Sequence, residues 1–307
     1  MKTAILIPCY NEELTIAKVI RDFQNELPDA EIYVYDNNSK DKTFEIAMNA
    51  GAIVKRESRQ GKGNVVRSMF RDIDADIYVM ADGDDTYPAE FVHELIKPII
   101  SREAEMVIGD RLSNGTYSTE NKRKFHDFGN NLVKNLINYL FKSSLNDIMT
   151  GYRAFSKSFV KNIPVSSEGF EIETEMTLHA LDKRFLIAEI PIIYRDRPEG
   201  SVSKLNTFSD GIKVLKTVAS LFKNYKPLVF FGVSSLLFFI IGILIGFPVI
   251  YEFVKTGYIL RIPSAILAAG LMLLSSIFII CGLILDTIVK QHRENYELIL
   301  LKFSKGD

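Results

Sequence analysis

The chain has 307 residues, 37 basic and 38 acidic, with a formal net charge of −1, two cysteines and no tryptophan. No basic patch interleaves with aromatics, so nothing suggests a nucleic-acid partner. The length is that of one globular domain of about 150 to 250 residues plus additional segments. Cys9 falls in a strand-like run and Cys281 in an apolar run near the C-terminus, which excludes a disulfide between them and fits a reducing compartment.

From the N-terminus, apolar strand-like runs alternate with helical patterns. A strand over 3–8 precedes a helix over 13–27, a strand over 31–35 a helix over 42–50, and a strand over 52–55 a helix over 64–73. A strand over 76–81 then precedes a helix over 88–100, and a fifth strand covers 105–109. This alternation predicts an α/β domain with a mostly parallel sheet. Ligands bind such sheets at the carboxyl ends of the strands. The unusual residues fall there: P8-C-Y-N-E-E13, D36-N-N-S-K-D41, R59-Q-G-K-G63, D82-G-D-D85 and G109-D-R111.

Past residue 200 the composition changes. Leu205, Phe208, Ile212, Leu215, Ala219 and Phe222 recur at three- and four-residue spacing, opposite a polar face, and predict an amphipathic helix at a membrane interface. A helix packed on the soluble domain would give the same periodicity. Residues 228–250 and 262–285 contain no charge. Each is long enough to cross a bilayer as a helix, which takes about 20 apolar residues. The expected domains are therefore 1–200 (soluble), 201–227 (interfacial), 228–288 (a transmembrane hairpin) and 289–307 (a tail). Lys213, Lys216, Lys223 and Lys226 precede the first span and Lys290, Arg293, Lys302 and Lys305 follow the second, while only Lys255 and Arg261 lie between. The positive-inside rule then puts the soluble domain and both termini in the cytosol. The N-terminus has only a short apolar run before a polar loop, so no signal peptide is expected.

Each loop has a plain reading beside its chemical one. Three carboxylates within four positions, Asp82, Asp84 and Asp85, repel one another unless a cation, hydrogen bonds or solvent offset them. A D-x-D at a strand end suits Mg²⁺ or Mn²⁺, hard cations that take one or two carboxylates plus phosphates. A surface turn has the same composition. His93 stands where an EF-hand needs its Glu, which excludes that motif. Residues 59–63 offer flexible backbone, two cations and free N–H groups for a diphosphate, or simply a helix start, and they lack the third glycine of a dinucleotide fingerprint. Asp36 either opens a turn or accepts hydrogen bonds from a nucleoside.

Taken together, P8-C-Y-N-E12, D36-x-x-S39-x-D41-x-T43, G61-K-G63 and D82-G-D84 resemble the family 2 glycosyltransferases of the GT-A fold. The motifs I108-G-D-R111, D147-I-M-T-G-Y-R153, G169-F-E-I-E173 and R197-P-E-G-S-V-S-K-L205, followed by two apolar spans, are similar to the polyprenyl-phosphate and dolichyl-phosphate sugar transferases of that family. The resemblance covers nearly the whole chain. It implies a Rossmann-like catalytic domain in which Pro8, Tyr10, Asn11, Glu12, Asp36, Ser39, Gly61, Lys62 and Asp82 bind the nucleotide-sugar. Asp82 and Asp84, with Thr86, would hold Mg²⁺ or Mn²⁺ on its diphosphate. Asp82, Asp84 and Arg111 are the expected catalytic residues. Two positions depart from the pattern: Thr86 stands where Gln is frequent, and Asn37 where Asp is usual.

A phosphate acceptor with a second pKa near 6 is already mostly dianionic at neutral pH and needs cations to position it rather than a general base. Arg111, Arg153, Arg197, Ser201, Ser203 and Lys204 are the candidates. Arg123, in K122-R-K124, reads better as a solvated surface residue. Glu171 and Glu173 either orient the donor sugar or structure their loop.

The expected activity is inverting, metal-dependent transfer of a hexose to a membrane polyprenyl phosphate for cell-envelope (cell wall) glycans, at the plasma membrane. UDP-glucose and UDP-N-acetylglucosamine are the favoured donors, with GDP-mannose beside them. The competing readings are a transferase acting on a glycan or a lipid-diphosphate-linked sugar, which would require an acidic base, and a non-catalytic nucleotide-sugar-binding membrane protein. The lack of Trp argues against processive synthases, which carry Q-x-x-R-W. G242-x-x-x-G246 in the first span allows close helix approach and would suit a homo-oligomer.

Overall fold

The computed structural model describes residues 1–113, 124–169, 171–196, 219–220 and 222–303. The chain divides into two compact units, Met1–Thr207 and Phe208–Asp307.

In the first unit, β1 (Thr3–Cys9), β2 (Glu31–Asp36), β3 (Ile53–Arg56), β4 (Ile77–Met80) and β5 (Met106–Asp110) fall where the sequence predicts strands. Between them run α1 (Ile16–Glu26), α2 (Thr43–Asn49), α3 (Lys62–Asp72) and α4 (Val92–Ile100), the last preceded by a 3₁₀ turn over Ala89–Phe91. Five further elements follow: α5 (Lys124–Phe141), β6 (Arg153–Ser156), α6 (Lys157–Asn162), α7 (Ile172–Asp182) and β7 (Ile187–Pro191). The sheet has seven strands in the order β3-β2-β1-β4-β6-β5-β7. Only β6 is antiparallel, inserted between β4 and β5.

The strands covered on both faces read as continuous apolar runs, which is why β4, Ile-Tyr-Val-Met, is buried at every position. On α1, Ile16, Val19, Ile20 and Phe23 recur at helical spacing and are the buried positions. Register brings the site loops to one edge. Cys9 pairs with Asp36, Asp36 with Arg56 and Leu6 with Met80, so β1, β2, β3 and β4 end close together.

In the second unit, α8 (Pro227–Thr256) and α9 (Ile262–Phe303) form a hairpin whose turn begins at Gly257, with φ 76°, in the left-handed region that glycine tolerates. Both helices are long and apolar enough to cross a membrane, with mean hydropathies of 2.8 and 2.5. Only 11% and 17% of their most apolar windows are buried, so their apolar surface is not that of a soluble core helix. The seam is made of small residues. A Cβ on Gly242 would stand 3.2 Å from Met272 Sδ, one on Gly246 3.3 Å from Ala268 Cβ, and one on Gly282 3.1 Å from Phe231 Cβ. Ser235 Oγ donates to Ser275 O at 2.8 Å and Ser275 Oγ to Ser235 O at 3.0 Å. G242-x-x-x-G246 thus serves packing within the chain, and α9 stays helical past residue 288 to Phe303.

Candidate active site

The first two loops are tied to each other by the second one's side chains. Asn11 N donates to Ser39 Oγ at 2.9 Å, Glu12 N to Thr43 Oγ1 at 2.8 Å and Glu13 N to Asp41 Oδ2 at 3.2 Å. In return Lys40 N donates to Asn11 Oδ1 at 2.8 Å, with Asn11 at φ 54°. The spacing in D36-x-x-S39-x-D41-x-T43 is the spacing of these acceptors. Ser39, expected on the nucleotide, therefore shapes the loop that carries Asn11. Pro8, Tyr10, Asn11 and Glu12 are half-buried along its rim. Asp36 is 2% exposed; Oδ2 accepts from Ser39 N at 3.3 Å and Oδ1 is buried with no partner among the described residues. A buried, unsatisfied carboxylate oxygen is costly, and a ligand's hydroxyl or N–H would satisfy it.

The three acids after β4 separate into two roles. Asp85, at φ 62°, turns away and pairs with Lys18, whose Nζ is 2.8 Å from its Oδ1. Asp84 is 4% exposed, and its Oδ1 accepts from Thr86 Oγ1 at 2.7 Å and Thr86 N at 3.3 Å. Thr86, expected as a metal ligand, here orients Asp84. Thr15 Oγ1 fixes the loop by donating to Gly83 O at 2.6 Å, and a Cβ on Gly83 would meet Cys9 Sγ at 2.6 Å. Burial pushes the Cys9 thiol well up, and Glu12, Asp36, Asp82 and Asp84 push it further, so four carboxylates gather around the end of β1. Among the described residues no three Asp, Glu, His or Cys side chains are grouped to hold a metal. Two acids suit a Mg²⁺ or Mn²⁺ ion that takes its remaining ligands from a diphosphate and water.

The third loop differs from expectation. Its backbone donors are occupied: Gly61 N donates to Asn37 Oδ1 at 2.7 Å, and Gly63 N lies 3.0 Å from Glu168 O and 3.1 Å from Gly169 O. The glycines are there because another stretch of backbone crosses them. A Cβ on Gly61 would stand 2.1 Å from Glu168 O and one on Gly63 2.0 Å from Ser167 O. Ser166 N and Ser167 N donate to Glu175 on α7, at 2.9 and 2.8 Å, which pins this strap. Asn37, at the usual Asp position, is part of the same scaffold, donating to Glu57 O and Arg59 O at 3.0 and 2.7 Å. What the loop brings to the site is the Lys62 side chain, 2.5 Å from Asp82 Oδ1 and 2.6 Å from Glu173 Oε1. Burial works against its charge, but Asp82 and Glu173 outweigh burial and hold the ammonium above its usual range. Gly61 also lines an open pocket of about 490 Å³ with Gln60, Ser167, Glu168, Gly169 and Glu171.

On the other side of Asp82, the motif D147-I-M-T-G-Y-R153 forms the wall. Arg111 grips Asp147 with two nitrogens, Nε to Oδ2 at 2.7 Å and Nη2 to Oδ1 at 3.0 Å, and lies over the Tyr194 ring. Burial tends to raise the Asp147 carboxyl, but Arg111 outweighs it and holds the group below its usual range. Gly151 leaves room for Asp82, since a Cβ there would be 2.7 Å from Oδ2. Tyr87 Oη joins the two loops, accepting from Gly151 N at 3.0 Å and Arg111 Nη1 at 3.4 Å. Burial pushes its phenol up to about 12. Arg153, expected on the acceptor phosphate, is fully buried, donating to Thr150 O at 2.9 Å, Ile148 O at 2.7 Å and Thr177 Oγ1 at 2.9 Å. A guanidinium directed into the wall braces the loop from behind. Arg123, Arg197, Ser201, Ser203, Lys204 and the amphipathic segment over 205–218 lie outside the described residues. Asn37, Tyr87, Asp147 and the Lys62 partner Glu173 are positions whose roles no motif spacing discloses, because each acts through a residue at least 20 positions away.

A seven-stranded sheet with one antiparallel insertion, site loops at one carboxyl edge and an acid pair after β4 define an α/β fold of the GT-A type. The family model for glycosyl transferase family 2 matches residues 4–163. This chain belongs to glycosyl transferase family 2, as its motifs imply. Glycosyltransferase AglJ of Haloferax volcanii is 32% identical over 299 residues, 96% of each chain. A dolichyl-phosphate hexose transferase of the same organism is 29% identical over 215 residues, 70% of this chain and 91% of its own length. Glucosyl-3-phosphoglycerate synthase from Mycobacterium tuberculosis, solved with Mn²⁺ and UDP-glucose, superimposes with a TM-score of 0.55 at 21% identity over 72% of this chain and 78% of that one, a likeness of fold.

Proposed function

We propose that the protein transfers a hexose from a nucleoside-diphosphate sugar to a membrane polyprenyl phosphate, with a divalent cation on Asp82 and Asp84. The observation that carries the reading is that this acid pair shares a strand edge with Asp36, whose buried Oδ1 has no partner among the described residues. Asp36 takes the nucleoside, with Asn11 and Glu12 on the rim above it. Mg²⁺ or Mn²⁺ would supply electrostatic stabilisation of the leaving diphosphate. Arg111, oriented by Asp147 and Tyr87, is assigned to the acceptor phosphate because a fixed guanidinium fork suits that group. Arg197, Ser201, Ser203 and Lys204 remain the other acceptor candidates, on their residue types alone. Arg153 is assigned to bracing the wall. The relative that is a dolichyl-phosphate hexose transferase supports a lipid-phosphate acceptor, and the two apolar helices support a bilayer location for the enzyme. The basic flanks favour cytosolic termini.

The test is radiolabelled-sugar transfer by purified protein in detergent to a short polyprenyl phosphate, comparing UDP-glucose, UDP-N-acetylglucosamine and GDP-mannose with Mn²⁺ or Mg²⁺, each with and without EDTA. Label in the organic phase from one donor, abolished by EDTA, is the expected result. Asp84→Ala should lower that rate by about 10²-fold or more. Full synthesis by Asp84→Ala would refute the metal assignment, and hydrolysis of a donor without lipid labelling would move the acceptor to a glycan.

A further inference from the structure

We propose that Lys62 is a built-in competitor of the divalent cation for Asp82, so that the cation gains the site only together with the donor's diphosphate; this rests on the donor and metal reading above. The ammonium lies between two carboxylates, at 2.5 Å from Asp82 and 2.6 Å from Glu173. The Lys62 side chain is 9% exposed and that of Glu173 6%, whereas that of Asp82 is 28% exposed. The lysine and Glu173 form the closed back of the site, and Asp82 is its open front.

Neither end of this bridge is loose. Lys62 is the first residue of α3, between Gly61, held by Asn37, and Gly63, held by the 168–169 carbonyls. Glu173 stands in the first turn of α7, the helix whose Glu175 pins the same strap. The strap therefore fixes the backbone on which Lys62 and Glu173 stand, while the contact to Asp82 is free to change with the lysine's rotamer.

A dication arriving alone on Asp82 would stand beside an ammonium that is itself 9% exposed, where like charges are weakly screened. It would have to displace the lysine from its closest acid and leave Glu173 to hold it, with no new anion to replace Asp82. A dication arriving with a diphosphate brings the missing negative charge. Lys62 then turns to a phosphate oxygen while Glu173 keeps its other side, and Asp82 is released to the metal. Linkage makes the effect reciprocal: nucleotide tightens metal, and metal tightens nucleotide by the same factor. A lysine that only neutralised Glu173 would give no such coupling.

The test measures Mn²⁺ binding by electron paramagnetic resonance to the detergent-solubilised full chain, with no nucleotide, with UDP and with GDP. For the wild type, one of the two nucleotides should tighten Mn²⁺ by about tenfold or more. Lys62→Gln should bind Mn²⁺ alone about tenfold more tightly than the wild type and lose most of the nucleotide enhancement, and adding Asp82→Asn should erase that gain. Glu173→Gln, a neutral residue of the same shape, provides the opposite sign: the lysine keeps only Asp82, and Mn²⁺ should weaken both with and without nucleotide. Unchanged or weaker Mn²⁺-alone binding in folded Lys62→Gln overturns the proposal, as does unchanged or tighter Mn²⁺ in Glu173→Gln. Wild-type protein that binds Mn²⁺ equally well with and without nucleotide overturns this inference alone. Wild-type protein that binds no Mn²⁺ under any condition overturns the metal reading with it.

Discussion

Asp147 shows what a residue-scale contact contributes. It is 3% exposed and its charge is matched by the Arg111 fork, so Asp147→Ala leaves a half-buried guanidinium without its carboxylate. Breaking such a pair costs about 3–5 kcal/mol, and chemical denaturation of the variant should show a loss of that order together with weaker transfer. Glu57 makes a pH-dependent contribution. Hydrogen bonds from Arg59, with one from Ser68, outweigh burial and hold its carboxyl down at about 2. A carboxyl with a lowered folded pKa stabilises the fold above its unfolded value, about 4.3. That contribution is lost as pH falls through about 2. Thermal melts between those limits should fall with acid in the wild type, and Glu57→Gln should flatten that part of the decline. The residue scale is also where the sequence was least legible. Asp82, Asp84 and Asp85 look alike in a row, yet Lys18, 67 residues away, takes Asp85 out of the group.

At the scale of elements, the strap over α3 decides the shape of the site. A G-x-G at a helix start reads as a phosphate cradle because glycine bares the backbone. Here the carbonyls of Ser167 and Glu168 fill the space that both glycines leave. Gly63→Ala would press a methyl against the Ser167 carbonyl, and overpacking of this kind costs about 1–3 kcal/mol. The variant should therefore melt lower, and proteolysis should cut first in the strap. Among the strands, β1 to β5 were legible because each is a bounded apolar run followed by turn residues. β6 and β7 were not, since Arg-Ala-Phe-Ser and Ile-Ala-Glu-Ile-Pro are short and mixed, and only pairing with β4 and β5 makes them strands.

For the whole molecule, the hairpin gives the prediction that is simplest to check. If α8 and α9 cross a bilayer, the full chain should sediment with membranes, resist alkaline carbonate and need detergent for release. Extraction by carbonate alone would refute the spanning reading. The sequence by itself determined the order of strands and helices, the two apolar spans and the residue types at each strand end, because hydrophobic period and turn chemistry act over a few neighbouring positions. Tertiary structure alone decided the antiparallel insertion of β6, the burial of Arg153, the sorting of three neighbouring acids and the placing of Lys62 between Asp82 and Glu173. Each involves contacts between residues at least 20 positions apart, up to 111 for Lys62 and Glu173, and no local pattern encodes which distant charge a side chain will meet.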